Sequence, residues 1–264
     1  MPAIVLGDLE LHYEACGQGE PLLLLHGSFS TARHSFGTLM PLLARERLVL
    51  APDFRGHGQT RCPNLDWDVP QLAVDMLDFL AALGIASCPV AGHSMGGDCA
   101  MIMASLAPSR VASLLAIGTA GSRNPGLVPY LEKFAPHNAP ETRYPRFIRD
   151  LKERHAQAHR GDWQALVRAT IQTCMRYPDF SDQDLARLAM PFLLLHGDQD
   201  PFVSEGEVER LSRLCPRFER VRLAAQGHSP HQGAGAKNTA GIMLRFLADA
   251  TGTGKLSARS APSA

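Results

Sequence analysis

Short apolar runs alternate with segments whose apolar residues recur every three or four positions. Residues 4–6 and 9–13 alternate in polarity around Gly7-Asp8, which predicts a hairpin. Residues 22–25 are a continuous leucine run ending at His26-Gly27, and 48–51 form a second apolar run. A helix is predicted over 33–44 between them. Val69, Leu72, Met76, Leu80 and Leu83 fall on one face of a helix that Gly84 ends. A strand over 89–92, a helix over 94–107 that stops before Pro108, and an apolar run over 111–117 continue the rhythm. Strand–helix alternation of this kind predicts βαβ units and a mostly parallel sheet with helices on both faces.

The rhythm breaks at about Gly121. Five prolines crowd residues 125–145, and three helical segments follow at 144–159, 162–176 and 181–189. Ser181-Asp182-Gln183-Asp184 resembles a capping box at the start of the last one. With no strand-like run there, 121–189 reads as a helical insertion. The α/β alternation resumes with a strand at 192–196, a helix at 204–214, a strand at 218–223 and a helix at 240–250. Residues 1–120 and 190–250 therefore form the predicted core, and the Gly-, Ser-, Thr- and Ala-rich stretch 251–264 is expected to be a disordered tail.

Composition narrows the function. The 264 residues carry 26 Lys+Arg against 26 Asp+Glu, so no net field draws the chain to nucleic acid or an anionic membrane. A hydrophobic fraction of 45% against 20% charge argues for a packed core rather than disorder. Six cysteines lie scattered with no CxxC pair, which suggests free thiols in a reducing compartment. No apolar run reaches membrane-spanning length, and the N-terminal residues lack a signal-peptide pattern, so a cytoplasmic location is expected.

Gly92-His93-Ser94-Met95-Gly96 fits G-x-S-x-G between a predicted strand and a predicted helix. The spacing needs glycine because the serine occupies a sharp strand-to-helix turn that brings backbones together. A serine hydroxyl requires a base to take its proton, and the base requires a third group to orient it. His228 follows the strand at 218–223, and Asp200 follows the strand at 192–196. All three therefore sit at C-terminal strand edges, in the order Ser, Asp, His.

On LLLLHGSFS, DFRGHGQT, AGHSMGG, LLLHGDQDPFV and QGHSPH, the chain resembles α/β-hydrolase-fold serine hydrolases, in particular the capped esterases, C–C hydrolases and perhydrolases. The resemblance covers nearly the whole chain and makes 121–189 a cap. It implies Ser94 as nucleophile, His228 as base and Asp200 as its acid, with Asp198 the fallback. It implies an oxyanion hole from the backbone N–H groups of Met95 and Ser28, with Phe29 the alternate. Dehalogenases and epoxide hydrolases of this fold carry aspartate where Ser94 stands.

Other features are read as structural. Asp53 and Arg55 are expected to tie loops. His57 is a weaker candidate for catalysis, and His26 and His93 are taken as packed histidines. His231 is expected to be a pocket or helix-start residue. His155 and His159 have an i, i+4 spacing that could hold a metal, but with no third ligand they read as a solvated face. The insertion has eleven basic residues against eight acidic ones, and an inward-facing arginine there could bind a carboxylate. Phe147, Trp163 and Phe180 are core or pocket candidates. Neither a dinucleotide fingerprint nor a P-loop is complete, so no cofactor and no metal are expected. The expected function is hydrolysis of a small carboxylic ester, thioester or lactone through an acyl-enzyme. C–C bond hydrolysis of β-diketone-type substrates or perhydrolysis is the alternative. A ligand receptor with vestigial turnover is a third reading from another class.

Overall fold

The computed structural model describes residues 2–64, 66–122, 129, 132–133, 140–158 and 162–250. The expected tail at 251–264 lies outside them. Eight strands form one sheet: β1 (Ala3–Leu6), β2 (Leu9–Cys16), β3 (Pro21–Leu25), β4 (Leu48–Pro52), β5 (Cys88–His93), β6 (Val111–Ile117), β7 (Phe192–Gly197) and β8 (Phe218–Leu223). Their order is β1-β2-β4-β3-β5-β6-β7-β8. β1 and β2 pair antiparallel across a turn in which Gly7 takes φ +58°, and β2 pairs antiparallel with β4. Every pairing from β4 to β8 is parallel.

The period-two geometry of a strand sorts these apolar runs onto two faces. Leu23, Leu25, Val90, Leu114, Ala116, Phe192 and Leu194 point to one core layer. Leu22, Leu24, Ala91, Leu115, Ile117, Leu193 and Leu195 point to the other. Both faces are dry because helices cover both, which is why these strands read as unbroken hydrophobic runs. Each such leucine contributes about 1.5–3 kcal/mol by burial. The first layer is closed by α3 (Val69–Ala82) and α4 (Met95–Leu106), the second by α1 (Ala32–Phe36), α2 (Met40–Leu43) and the C-terminal helix α10 (Ala236–Ala250).

The helix expected over 33–44 is in fact two short ones. Gly37 caps the first, with its N–H bonded to the Arg33 carbonyl at 2.9 Å, and Pro41 lies in the first turn of the second. Proline offers no N–H to continue a helix from before it, so the chain restarts. α10 begins four residues earlier than expected. Residues 233–239 show no apolar stripe, but Ala236 is buried and Thr239 satisfies its buried hydroxyl on the Pro230 carbonyl at 2.8 Å.

Within 121–189 the described helices are α5 (Pro140–Arg143), α6 (Pro145–Arg154), α7 (Trp163–Arg176) and α8 (Asp182–Ala186). Asp162 caps α7 by accepting from Ala165 N at 2.9 Å, and Ser181 with Asp184 forms the expected capping box on α8. Their inner faces, among them Ile148, Leu151, Leu166, Val167 and Leu185, merge with the core layer under α3 and α4. The Thr173 hydroxyl also accepts from Val69 N at 2.9 Å, joining α7 to the start of α3. Among the described residues no helix is long and apolar enough to cross a membrane. α9 (Glu205–Leu214) packs beside β8.

Candidate active site

Ser94 sits between β5 and α4 with φ +51° and ψ −123°. A side chain seldom holds such a conformation, and strain of this kind costs about 1–3 kcal/mol. The turn is held by Ser94 N to the Ile117 carbonyl at 2.8 Å and by Gly97 N and Asp98 N to the Ser94 carbonyl at 2.7 and 3.1 Å. Gly92 and Gly96 are required by contact. A Cβ on Gly92 would collide with the Gly96 carbonyl, and one on Gly96 with the carbonyls of Leu25 and His26. The serine is therefore raised at the apex of a turn where strand and helix pass backbone to backbone.

His228 lies beyond β8 and Asp200 beyond β7. His228 Nδ1 is 3.1 and 3.0 Å from the two carboxylate oxygens of Asp200. With Nδ1–H assigned as the donor from these contacts, Nε2 is the lone-pair nitrogen. The Asp200 side chain is fully buried, and its Oδ1 also accepts from Phe202 N at 2.9 Å. Asp198 is exposed. The ring of Phe202 stands edge-on to His228 at 4.7 Å. Two further glycines admit this pair. A Cβ on Gly118 would press on both His228 and Asp200, and one on Gly197 would collide with the Gln226 carbonyl.

His93 lies against the back of His228, ring to ring at 4.8 Å, and donates from Nε2 to the His228 carbonyl at 3.0 Å. Burial, then the neighbouring His231 and His228, push its pKa well below the ordinary imidazole value, so His93 is a neutral support. His231 is fully buried behind it, 4.3 Å ring to ring, and burial pushes its pKa down to about 3.

Ser94 and His228 share a cavity of about 270 Å³. Met95, at the start of α4, and Ser28 and Phe29, on the turn after β3, line it too. Phe29 takes φ +59°, and Ser30 N reaches the Gly27 carbonyl at 3.3 Å, which curls this turn towards Ser94. The Ser28 hydroxyl donates to Met95 Sδ at 3.5 Å, so the two side chains meet on one wall. A backbone N–H at a helix start beside a curled turn is the kind of donor set that can receive a developing oxyanion.

From the helical segment between β6 and β7, Phe147, Arg154, Cys174 and Tyr177 also line the cavity. Phe147 meets Phe29 edge-on at 5.9 Å, whereas Trp163 is core and Phe180 packs half-buried against the core. Arg154 turns inward and donates to the Phe29 carbonyl at 2.8 Å.

His155 corrects the expectation of a solvated face. It is fully buried, its Nδ1 accepts from Gly58 N at 2.8 Å, and its Nε2 donates to the Phe29 carbonyl at 3.1 Å. The helix ends at Arg154, so the i, i+4 spacing is not maintained as helix, and the chain turns the imidazole inward. His159 lies outside the described residues. Among the described residues no group of three or more His, Cys, Asp or Glu could hold a metal ion. His57 does not line the cavity. It bonds the Arg55 carbonyl at 2.9 Å and packs among His26, Trp67 and His155. Arg55 ties Asp75 at 2.9 Å and Asp8 at 3.3 Å, so the loop after β4 is a structural clamp.

Sequence reasoning missed Asp98. It lines the cavity one helical turn beyond Ser94, and it accepts from the Thr119 hydroxyl. Its place four residues after Ser94, in the first turn of the helix that Ser94 precedes, was the available signal.

The site has relatives. The 2-hydroxy-6-oxo-2,4-heptadienoate hydrolase of Pseudomonas putida is 28% identical over 250 residues, covering 86% of this chain and 88% of that protein. The dihydrolipoyllysine-residue acetyltransferase component of the acetoin cleaving system of Pseudomonas putida is 42% identical over 120 residues, but the match spans only 32% of that longer protein. A putative lipase structure from Acinetobacter baumannii AYE superposes with a TM-score of 0.76 at 23% identity, covering 96% of this chain and 92% of that one. The sequence profile described as the alpha/beta hydrolase family matches residues 22–238, which span β3 to the start of α10 and every element that carries the cavity. With the sheet order, the serine at the strained β5–α4 turn and this match together, the chain belongs to the alpha/beta hydrolase family.

Proposed function

We propose that the protein is a serine hydrolase that cleaves a small carboxylic ester, thioester or lactone through an acyl-enzyme. The supporting observation is the strained Ser94 opening into the same cavity as His228, whose other nitrogen is held by buried Asp200. In this reading Ser94 Oγ attacks the carbonyl carbon while His228 Nε2 takes its proton. The carbonyl electrons move to oxygen, and the N–H groups of Met95 and Ser28 hold that oxyanion, with Phe29 N–H the alternate to Ser28. Collapse expels the leaving group, which takes the proton back from His228. Water, deprotonated by His228, then attacks the acyl-enzyme, and the acid and free Ser94 are released. Asp200 orients the ring. A cavity of about 270 Å³ suits a short acyl group. A graded panel of p-nitrophenyl esters tests this: turnover should peak at short chains and vanish in Ser94→Ala. Equal turnover by Ser94→Ala would overturn it.

A second reading, hydrolysis of a C–C bond next to a ketone, draws on the relative named for 2-hydroxy-6-oxo-2,4-heptadienoate, matched along most of both chains. Arg154 in the cavity wall suits the carboxylate such a substrate carries. Product analysis separates the two: an alcohol plus an acid from an ester, a ketone plus an acid from a C–C bond.

A further inference from the structure

We propose that Asp98 determines specificity by hydrogen-bonding a carbonyl or carboxylate oxygen that the substrate carries about one helical turn from its reacting carbonyl. The inference rests on Ser94 being the nucleophile. Ser94 is the residue that precedes α4, and Asp98 N, in the first turn of that helix, bonds the Ser94 carbonyl at 3.1 Å. At 1.5 Å rise per residue, Asp98 stands about 6 Å further along the α4 axis than Ser94. Both line the same cavity.

The carboxyl is half engaged. Oδ1 accepts from the Thr119 hydroxyl, and among the described residues Oδ2 has no protein hydrogen bond. Arg154 lines the same cavity from α6. The titratable groups facing it are His228, beyond β8, and Cys174, on α7. Cys99 lies beside it on α4. Burial foremost, then Asp98, drives the Cys174 thiol up to about 12, so that neighbour is neutral. Burial pushes Asp98 itself up to about 7, against the opposing pulls of Thr119 and His228. A protonated carboxyl held at one oxygen presents its O–H from the other, and a substrate filling the cavity excludes the water that could satisfy it. A plain alkyl chain would leave that group dry and unpaired. An acceptor oxygen at that place completes it, and a site built around such a bond discriminates against the analogue that lacks it.

The test compares p-nitrophenyl 4-oxopentanoate with p-nitrophenyl pentanoate, which are nearly isosteric. Intrinsic reactivity cancels when the kcat/KM ratio of the two esters is compared between variants. Relative to Asp98→Leu, wild type should favour the oxo ester by about tenfold at pH 6, the worth of one hydrogen bond. That preference should fade as the pH rises through 7 and Asp98 ionises. Asp98→Asn keeps an N–H donor, so it should retain a preference without the pH dependence, an outcome a merely structural role would not give. Equal ratios in wild type and Asp98→Leu, with Ser94 still labelled by a fluorophosphonate, overturn this inference alone. Should Asp98→Leu not fold, a wild-type preference that is flat from pH 6 to 9 overturns it equally. If neither ester turns over and Ser94 does not label, the hydrolase reading falls and takes this one with it.

Discussion

The molecule holds two His–Asp pairs of nearly the same geometry. His228 and Asp200 are 3.0 Å apart, and His12 and Asp53 are 3.1 Å apart. Both carboxylates are steadied by backbone N–H groups: Phe202 for Asp200, Ala32 and Gln59 for Asp53. The difference lies on the far side of each imidazole. His228 is 25% exposed, into the cavity that holds Ser94, whereas His12 is 7% exposed and its Nε2 is buried with no partner. The cleft that His12 and Asp53 border is the larger, about 480 Å³ against 270 Å³, yet it holds no serine at a strained turn. A His–Asp pair is a candidate base only where its second nitrogen meets a nucleophile. Elsewhere the same pair is a clamp. Burial raises Asp53, but bonds from His12, Gln59 and Ala32 outweigh it and hold the carboxyl below its ordinary value.

Variants sharpen the contrast, the largest effect first. Removing the proposed nucleophile or base, Ser94→Ala or His228→Ala, should lower kcat by about 10⁴-fold or more, while His12→Gln should keep kcat within a few-fold per folded molecule. Steady-state kinetics on one short ester checks both. Asp200→Asn should lose about 10⁴ in kcat with little change in melting temperature, since it disturbs the tautomer more than the packing. Asp53→Asn should do the reverse. It should cost about 2–4 kcal/mol of stability in urea unfolding, because the amide cannot accept from all three of its partners. If Asp53→Asn abolished turnover in a protein of unchanged stability, the two pairs would not differ as described.

A smaller effect is expected at Gly58, which takes φ +56° and whose Cβ would collide with the Asp53 carboxylate. Gly58→Ala should destabilise by about 1–3 kcal/mol without altering KM. A pH slope in stability is also expected. His26, His93, His155 and His231 are all held below the ordinary imidazole value of 6.5, chiefly by burial. The unfolded chain takes up protons at these sites below about pH 6.5 and the folded chain does not, so their neutral burial is fully tolerated above that pH and stability falls as the pH drops below it. Thermal melts from pH 8 to pH 5 should show the decline, and His231→Gln should make it shallower.

The sheet was legible in the sequence because buried parallel strands leave long apolar runs, as at Pro21–Leu25 and Phe192–Gly197. Ser94 and Asp200 were singled out because each closely follows such a run, whereas His228 follows the mixed strand Phe218–Leu223 and rested on the QGHSPH motif. The helix break at Gly37 and Pro41 was missed because the apolar spacing runs on across it. The inward turn of Arg154 and the burial of His155 were not foreseen for a further reason. Both acquire their partners only when the segment between β6 and β7 meets the turn after β3 and the loop after β4, and distant partners such as Phe29 and Gly58 leave no mark in local periodicity. The same limit hid Gly118 and Gly197, whose need is set by the loop after β8 and, for Gly118, by the Asp200 carboxylate.

Intact-mass detection after treatment with a fluorophosphonate tests the central claim most directly, because the probe reports an activated serine whatever the natural substrate. The account predicts one adduct per chain, mapped to Ser94, lost in Ser94→Ala, strongly slowed in His228→Ala and Asp200→Asn, and unaffected by His12→Gln. Labelling at another serine, or labelling at Ser94 that persisted at full rate in His228→Ala, would contradict it.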